Sequence, residues 1–144
     1  MRGGEEVAIF VLRRGRSQVL ACRRSEPLDG YWHTVAGGVE QGESSEEAAR
    51  RELLEETGLE ATLSPLRTSY DYALVEEPAH RRSLYAPDVA SVHVECFLVD
   101  APDDWEPQLD WEHDDYRWCD PDEADALLHW ADTRHALQEL LGRP

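Results

Sequence analysis

The chain has 144 residues, with 31 acidic side chains against 14 basic ones, a formal charge of −17 and a pI near 4.5. That length gives one domain, residues 1–144, with a sizeable core. Such an acidic surface excludes nonspecific nucleic-acid binding, which needs a cationic footprint, and it repels polyphosphates unless metal ions or local arginines gather at a site.

Residues 7–12 (Val-Ala-Ile-Phe-Val-Leu) read as a buried strand, 14–17 as a turn and 18–23 as a returning strand, together a hairpin. Residues 27–30 form a loop, and a short strand over 32–35 leads into the pair Gly37-Gly38. Residues 46–57 lack Gly and Pro and are rich in Ala, Leu, Arg and Glu, which predicts a helix. Ser44 is its N-cap with Glu47 three residues on, the spacing of a capping box. Gly58 stops it by taking left-handed geometry. Ala48, Ala49 and Leu53, with Leu54 beside them, form its apolar face. Strands are expected over 61–66, 68–74, 89–99 and 116–119. The long segment 75–88 between them reads as a functional loop, and 101–115 as acidic and turn-like. Asp120 caps a helix opened by Pro121, and Asp132 or Thr133 caps another running to Leu141. The order predicts an α+β fold, a mixed sheet packed between helices.

All 14 basic residues are Arg, a side chain suited to bidentate phosphate contacts. Cys22 and Cys96 sit in apolar runs as buried free thiols, and with Cys119 they make an odd count without a CxxC pair. A reduced, cytoplasmic setting follows. The N-terminus lacks a signal-peptide pattern, and no apolar run approaches the ~20 residues of a membrane span.

The chemistry concentrates on the 46–57 helix. Glu52 and Glu56 lie four apart on one face, and Glu55 lies three from Glu52. Like charges at that spacing repel, and a divalent cation reverses the sign of that interaction; Mg2+ takes oxygen ligands, keeps several waters and bridges to phosphates. With 18 Glu in the chain, a solvated acidic face is the competing reading. The flanking pattern argues against it. Gly37 is followed by five residues and Glu43, then by seven more and Arg51-Glu52-Leu53-Leu54-Glu55-Glu56-Thr57-Gly58-Leu59. This segment resembles the Nudix box, with every fixed position filled.

The resemblance implies an α/β/α sandwich and a Mg2+-dependent pyrophosphohydrolase, with Mn2+ as an alternative ion. It implies metal ligation by Glu52, Glu56 and Glu112, with Glu55 near a second ion and Gly37 offering a backbone carbonyl. Either Glu55 or Glu112 would be the general base. Arg51 either orients a neighbouring glutamate or makes a surface pair with Glu47 or Glu55. Outside the box, Arg23-Arg24, Trp32, Arg81-Arg82, Tyr85-Ala86-Pro87, Glu112-His113, Tyr116-Arg117-Trp118 and His129-Trp130 resemble the branch of the family that acts on dihydroneopterin triphosphate. The chain departs from that branch at Ala36, where a small hydroxyl residue is expected to touch substrate.

Arg23, Arg81 and Arg82 are candidate phosphate contacts, or solvated surface cations. Tyr85, Trp32 and Trp130 would stack on a base or simply pack. Glu95 points either at the cleft or at water. His33, His93 and His113 carry no expected catalytic role, because oxygen-rich surroundings favour Mg2+ or Mn2+ over zinc. The implied substrate is a small-molecule phosphoanhydride, a nucleoside or pterin triphosphate; a dinucleoside polyphosphate or nucleotide sugar is the alternative. A nucleotide sensor without catalysis is the third reading, although such domains typically lose box glutamates. Several family members form homodimers, so that state is also open.

Overall fold

Seven consecutive buried residues, Val7 to Arg13, run along strand β1 (Glu5–Arg13) and make it the axis of the molecule. Such an unbroken run marks a strand covered on both faces. Val7, Ile9 and Val11 face one apolar cluster, and Ala8, Phe10 and Leu12 face the other. The computed structural model describes residues 2–28 and 30–143. On one side, β1 pairs in parallel with β6 (Ser91–Asp100), which pairs antiparallel with the edge strand β5 (Leu63–Ala73). On the other side β1 forks: Glu6 to Ile9 pair with β4 (Val35–Gly38), and Leu12 and Arg13 pair with β2 (Gln18–Arg24). β2 in turn holds β3 (Trp32–His33) and β7 (His113–Cys119).

Helix α1 (Ser45–Thr57) covers one face through Ala48, Ala49 and Leu53. Helices α3 (Pro121–Leu127) and α4 (Ala131–Leu140) cover the other through Ala124, Leu128, Ala136 and Leu137. The molecule is thus the expected α+β sandwich of helices about a mixed sheet. The α1 cap is also as expected. Ser44 Oγ accepts the Glu47 N–H at 3.1 Å, Glu47 Oε1 accepts the Ser44 N–H at 3.1 Å, and Gly58 sits at φ 80°. Asp120 and Glu123 repeat the reciprocal cap on α3. All three cysteines are buried and free.

Several expectations change. The two strands predicted at 61–66 and 68–74 are one strand, β5, with a register slip between Leu63 and Arg67. Pro65 lies in that slip; it cannot donate to the ladder, and an edge strand with a bulge tolerates it. Gly37 and Gly38 belong to β4. The 75–88 segment holds part of a 3-10 turn (Leu74–Glu76) and the single helical turn α2 (Ala79–Arg82). Strand β7 starts at His113, three residues before the predicted point. Trp130, not Asp132 or Thr133, is the α4 N-cap; Thr133 is buried, with its hydroxyl 3.1 Å from Tyr70 Oη. Leu54 is exposed rather than part of the apolar face. Of the predicted 27–30 loop, Asp29 lies outside the described residues.

The 101–112 segment matters because it delivers Glu112, and buried Arg13 fastens it. Arg13 donates to Gln18 Oε1, the Trp105 carbonyl and Glu106 Oε1, each at 2.7 Å, and its guanidinium lies 3.9 Å over the Trp118 ring. Arg13, with Trp118 and Tyr116, pushes the Glu106 carboxyl down to about 2. Gln108 N–H donates to the Thr57 carbonyl at 2.8 Å, tying the segment to the end of α1. Arg13→Ala should lower stability by about 2 kcal/mol and weaken protection of the 105–112 amides, as read by chemical denaturation and hydrogen exchange.

Candidate active site

Glu56 is 2% exposed, and neither of its carboxylate oxygens accepts a hydrogen bond. The nearest cationic candidate, His113 Nε2, stands 3.7 Å from Oε1, too far for a hydrogen bond. Burial pushes the Glu56 pKa well up, and the neighbouring Glu52, Glu112 and Asp110 carboxylates push it further. A buried carboxylate that no donor meets is expensive and rare, and the second-largest cause of the raised pKa is the hydrogen-bond contact of its protonated form with Glu52. Glu52, one turn earlier, lies against β4. A Cβ on Gly37 would sit 2.2 Å from the Glu52 carboxyl carbon, so only glycine leaves room for that carboxylate.

Arg51 binds the outer part of this acidic group. It donates to Glu43 through Nε (2.8 Å) and Nη2 (3.0 Å), to Glu52 Oε1 (2.8 Å), to Glu55 Oε2 (3.4 Å) and to the Gly38 carbonyl (2.9 Å). Hydrogen bonding to Glu43 is the main cause that raises the Arg51 pKa and lowers that of Glu43. The structure thus puts Arg51 in both roles left open by the sequence, orienting Glu52 and pairing with Glu55.

The opposite wall comes from β2 and the start of β7. Arg24 Nη1 donates to Glu112 Oε2 at 3.0 Å, while Arg24 Nε is buried without a partner. His113 is buried beside Asp110, with Nδ1 3.3 Å from Oδ1; burial, then Arg24, lowers its pKa. His33 is pushed down to about 3, again by burial and then Arg24, so its imidazole is neutral.

Between these walls is a cleft of about 260 Å³. Of the residues singled out from sequence, Gly37, Glu52, Glu112, Arg81 and Trp130 line it, as do His33 and Ala36, and Glu56 lies at the buried end of the acidic group. Arg51 lines a neighbouring concavity that shares Glu52. Glu55 is 56% exposed and lines neither. Arg23 is not brought to the cleft; it is held by Glu26 at 2.7 Å and Asp114 at 3.3 Å. Arg82 is exposed outside it. Tyr85 is 3% exposed, with its hydroxyl on Glu6 and Tyr72, so it packs rather than meeting solvent or ligand. Glu95 binds His93 at 2.8 Å and Arg67 at 3.2 Å, away from the cleft. The cleft brings in Arg2, Glu6, Tyr31 and Tyr72, which the sequence reading left aside, and Arg24, which it quoted without giving it a role. Arg24 lies two residues from Cys22, whose side chain faces α1, but the register with β7 shifts between Arg23 and Arg24, so strand parity in the sequence does not place it.

Six carboxylates and three arginines line the cleft, so it is net acidic. Among the described residues, no three acidic, imidazole or thiol side chains already converge as a metal cage. A Mg2+ site that keeps waters and bridges to phosphates needs only one or two carboxylates. The all-oxygen donors, the space made by Gly37 and the unpartnered Glu56 fit such an ion.

Fold and acidic helix together define a hydrolase of the α/β/α sandwich type. The NUDIX domain model matches residues 4–140, and the chain belongs to the Nudix family. The dihydroneopterin triphosphate diphosphatase of Escherichia coli (strain K12) is 29% identical over 138 residues, 94% of this chain and 90% of that protein. The solved E. coli dihydroneopterin triphosphate pyrophosphohydrolase superposes with a TM-score of 0.81 at 26% identity, covering 94% of this chain and 93% of that one. The asymmetrical bis(5'-nucleosyl)-tetraphosphatase of Rattus norvegicus is 34% identical over 110 residues, 76% of this chain and 69% of that protein. An octanoyltransferase of Myxococcus xanthus is 35% identical over 132 residues; the match takes in 92% of this chain but spans only 34% of that protein. No described helix is long and apolar enough to cross a membrane.

Because the Glu56 pKa is raised on folding, its contribution favours the folded state below its unfolded pKa and is lost as pH rises through the folded value. Metal-free protein should therefore lose stability from this group as pH rises above the ordinary carboxylate range. Glu56→Gln in EDTA should be more stable than wild type at pH 8, with the gap closing towards pH 5 in paired denaturation curves.

Proposed function

We propose that this chain is a Mg2+-dependent pyrophosphohydrolase, with Mn2+ as a substitute. It splits a nucleoside or pterin triphosphate between the first and second phosphates and releases a monophosphate and pyrophosphate. The observation that carries the reading is the buried, unpartnered Glu56 carboxylate beside Glu52. Glu52, Glu56, the Gly37 carbonyl and Glu112 would hold the ion. When bound, it neutralises the diphosphate and lowers the pKa of a water.

The chain's own residues supply the rest. Arg51 fixes the Glu52 carboxylate through its 2.8 Å bond. Arg24 and Arg81 line the cleft and meet the phosphates, in place of the outlying Arg23 and Arg82. Glu112, on the cleft wall, is the better placed of the two candidate bases, since Glu55 faces solvent. Tyr31 and Trp130, with ring centroids 5.7 Å apart and planes at 79°, form an aromatic corner of the cleft against which the ring of the substrate packs.

A dinucleoside polyphosphate is the second substrate reading. It is favoured by the rat relative and by Trp111, 75% exposed next to Glu112, where a second base could stack. Product analysis separates the two: pyrophosphate from a triphosphate supports the first, and two nucleotides from a dinucleoside tetraphosphate support the second.

Glu56→Gln should keep the fold, lose roughly 100-fold in activity and lose Mg2+ binding by calorimetry. Wild-type turnover in that variant would remove the assignment. Gly37→Ala should act in the same direction, with an unfolding temperature near that of wild type, because the added methyl displaces the Glu52 carboxylate.

A further inference from the structure

Arg81 reaches the aromatic corner of the cleft from the single helical turn α2, none of whose residues is buried. Its guanidinium carbon lies 5.5 Å from the centre of the Trp130 ring, within cation–π range. Nη1 donates to Tyr31 Oη at 3.3 Å, and Nε donates to Glu77 Oε1 at 3.2 Å. One cation thus holds both rings of the corner. His129 closes the corner from another side: it stacks on Tyr31 with centroids 5.1 Å apart and stands edge-on to Trp130 at 4.6 Å. Among the described residues the Arg81 guanidinium makes those two hydrogen bonds, so three of its five N–H groups are unused.

A ligand ring that packs into this corner competes with the guanidinium for the Trp130 face. A neutral ring wins that face only by displacing a cation and breaking the Tyr31 bond, and it gives the guanidinium nothing in return. A ligand that also carries phosphates offers the displaced Nη groups charge-assisted acceptors. Glu77 keeps the exchange local. It bonds Nε rather than the Nη edge, so it holds the base of the group while that edge changes partners.

We propose that Arg81 is a specificity-determining latch of the cleft: its guanidinium covers the Trp130 face and yields it only to a ring whose phosphates take up the freed N–H groups. The cleft thereby rejects nucleosides and other unphosphorylated rings, whatever the ring. This rests on the pyrophosphohydrolase reading for its ligand class and deepens it. A latch differs from a plain phosphate contact in what its removal does. Loss of a plain contact weakens phosphorylated ligands and leaves nucleosides untouched, whereas loss of the latch also opens the corner to nucleosides.

The test compares wild type, Arg81→Ala and Tyr31→Phe, all with Mg2+. Guanosine and adenosine are titrated by saturation-transfer NMR and their α,β-methylene triphosphate analogues by calorimetry, beside hydrolysis of the parent triphosphates. Arg81→Ala should weaken the triphosphate analogues about tenfold and tighten the nucleosides about fivefold. Tyr31→Phe keeps the ring and frees Nη1, so it should tighten both classes by about twofold or more. Nucleoside affinity that is unchanged in Arg81→Ala makes Arg81 a plain phosphate contact, and affinity that falls makes it a structural prop; either overturns the inference. No binding of any of the four ligands to wild type overturns it as well. Opposite shifts in Arg81→Ala without hydrolysis by wild type support the latch and remove the enzymatic reading. Active hydrolysis with unchanged nucleoside affinity does the reverse. If Arg81→Ala fails to fold, Tyr31→Phe decides, and unchanged or weaker binding of either class by that variant overturns the latch.

Discussion

The structure depends on one electrostatic constraint: acidic side chains on α1 are pressed against a glycine strand, and only the outer ones have a cation. Two unit charges about 4 Å apart interact by about 4 kcal/mol at the effective dielectric of a protein surface. Arg51 offsets that repulsion for Glu43, Glu52 and Glu55 and anchors them to the Gly38 carbonyl. No bond from Arg51 reaches Glu56. The compensation is thus graded, partial at the rim, where one guanidinium serves three carboxylates, and missing inside. A local cost of this kind persists only because the surrounding fold enforces it. The enforcement is visible: reciprocal capping at Ser44, the left-handed stop at Gly58, and Leu53 and Ala49 locked in the core.

What was legible in the sequence follows how local each cause is. The α1 boundaries, the caps at Ser44 and Asp120 and the shared face of Glu52 and Glu56 come from contacts within a few residues, so spacing alone finds them. The continuity of β5 is not local. The sequence places the break at Arg67, between two predicted strands, whereas β6 holds one strand on both sides of a slip that contains Pro65. The fork of β1 is likewise invisible along the chain, because β4 and β2 share one edge of it.

The same distinction sorts the site residues. Arg23 and Arg24 have the same chemistry, but the register of β2 with β7 shifts between them, and Arg23 is held by Glu26 and Asp114 while Arg24 reaches Glu112. Tyr85 carried the right ring for stacking. Its fate was set by a backbone contact of high sequence separation: Arg2 N–H donates to the Leu84 carbonyl at 2.8 Å, and Ala86 N–H donates to the Arg2 carbonyl at 2.9 Å. That pairing draws Tyr85 onto Glu6 and out of solvent. Glu6 itself has no local signature; its place at the cleft arises from Gly38 opposite it in β4 and from two tyrosines far along the chain.

Charge accounting inside the cleft also explains how so acidic a chain can accept an anion. Arg24 is held by Glu112 at 3.0 Å and Arg81 by Glu77 at 3.2 Å, so neither cation is free. A phosphate that took Arg24 would leave the Glu112 carboxylate uncompensated across the cleft from Glu52 and Glu56. The cheapest remedy is a cation drawn to those carboxylates, which the phosphate oxygens also favour. On the proposed function, anion and cation entry would be linked, each lowering the cost of the other, as reciprocal coupling between two sites requires. Net charge would keep stray polyphosphates away, while an exchange of arginine partners would admit one that arrives with its metal.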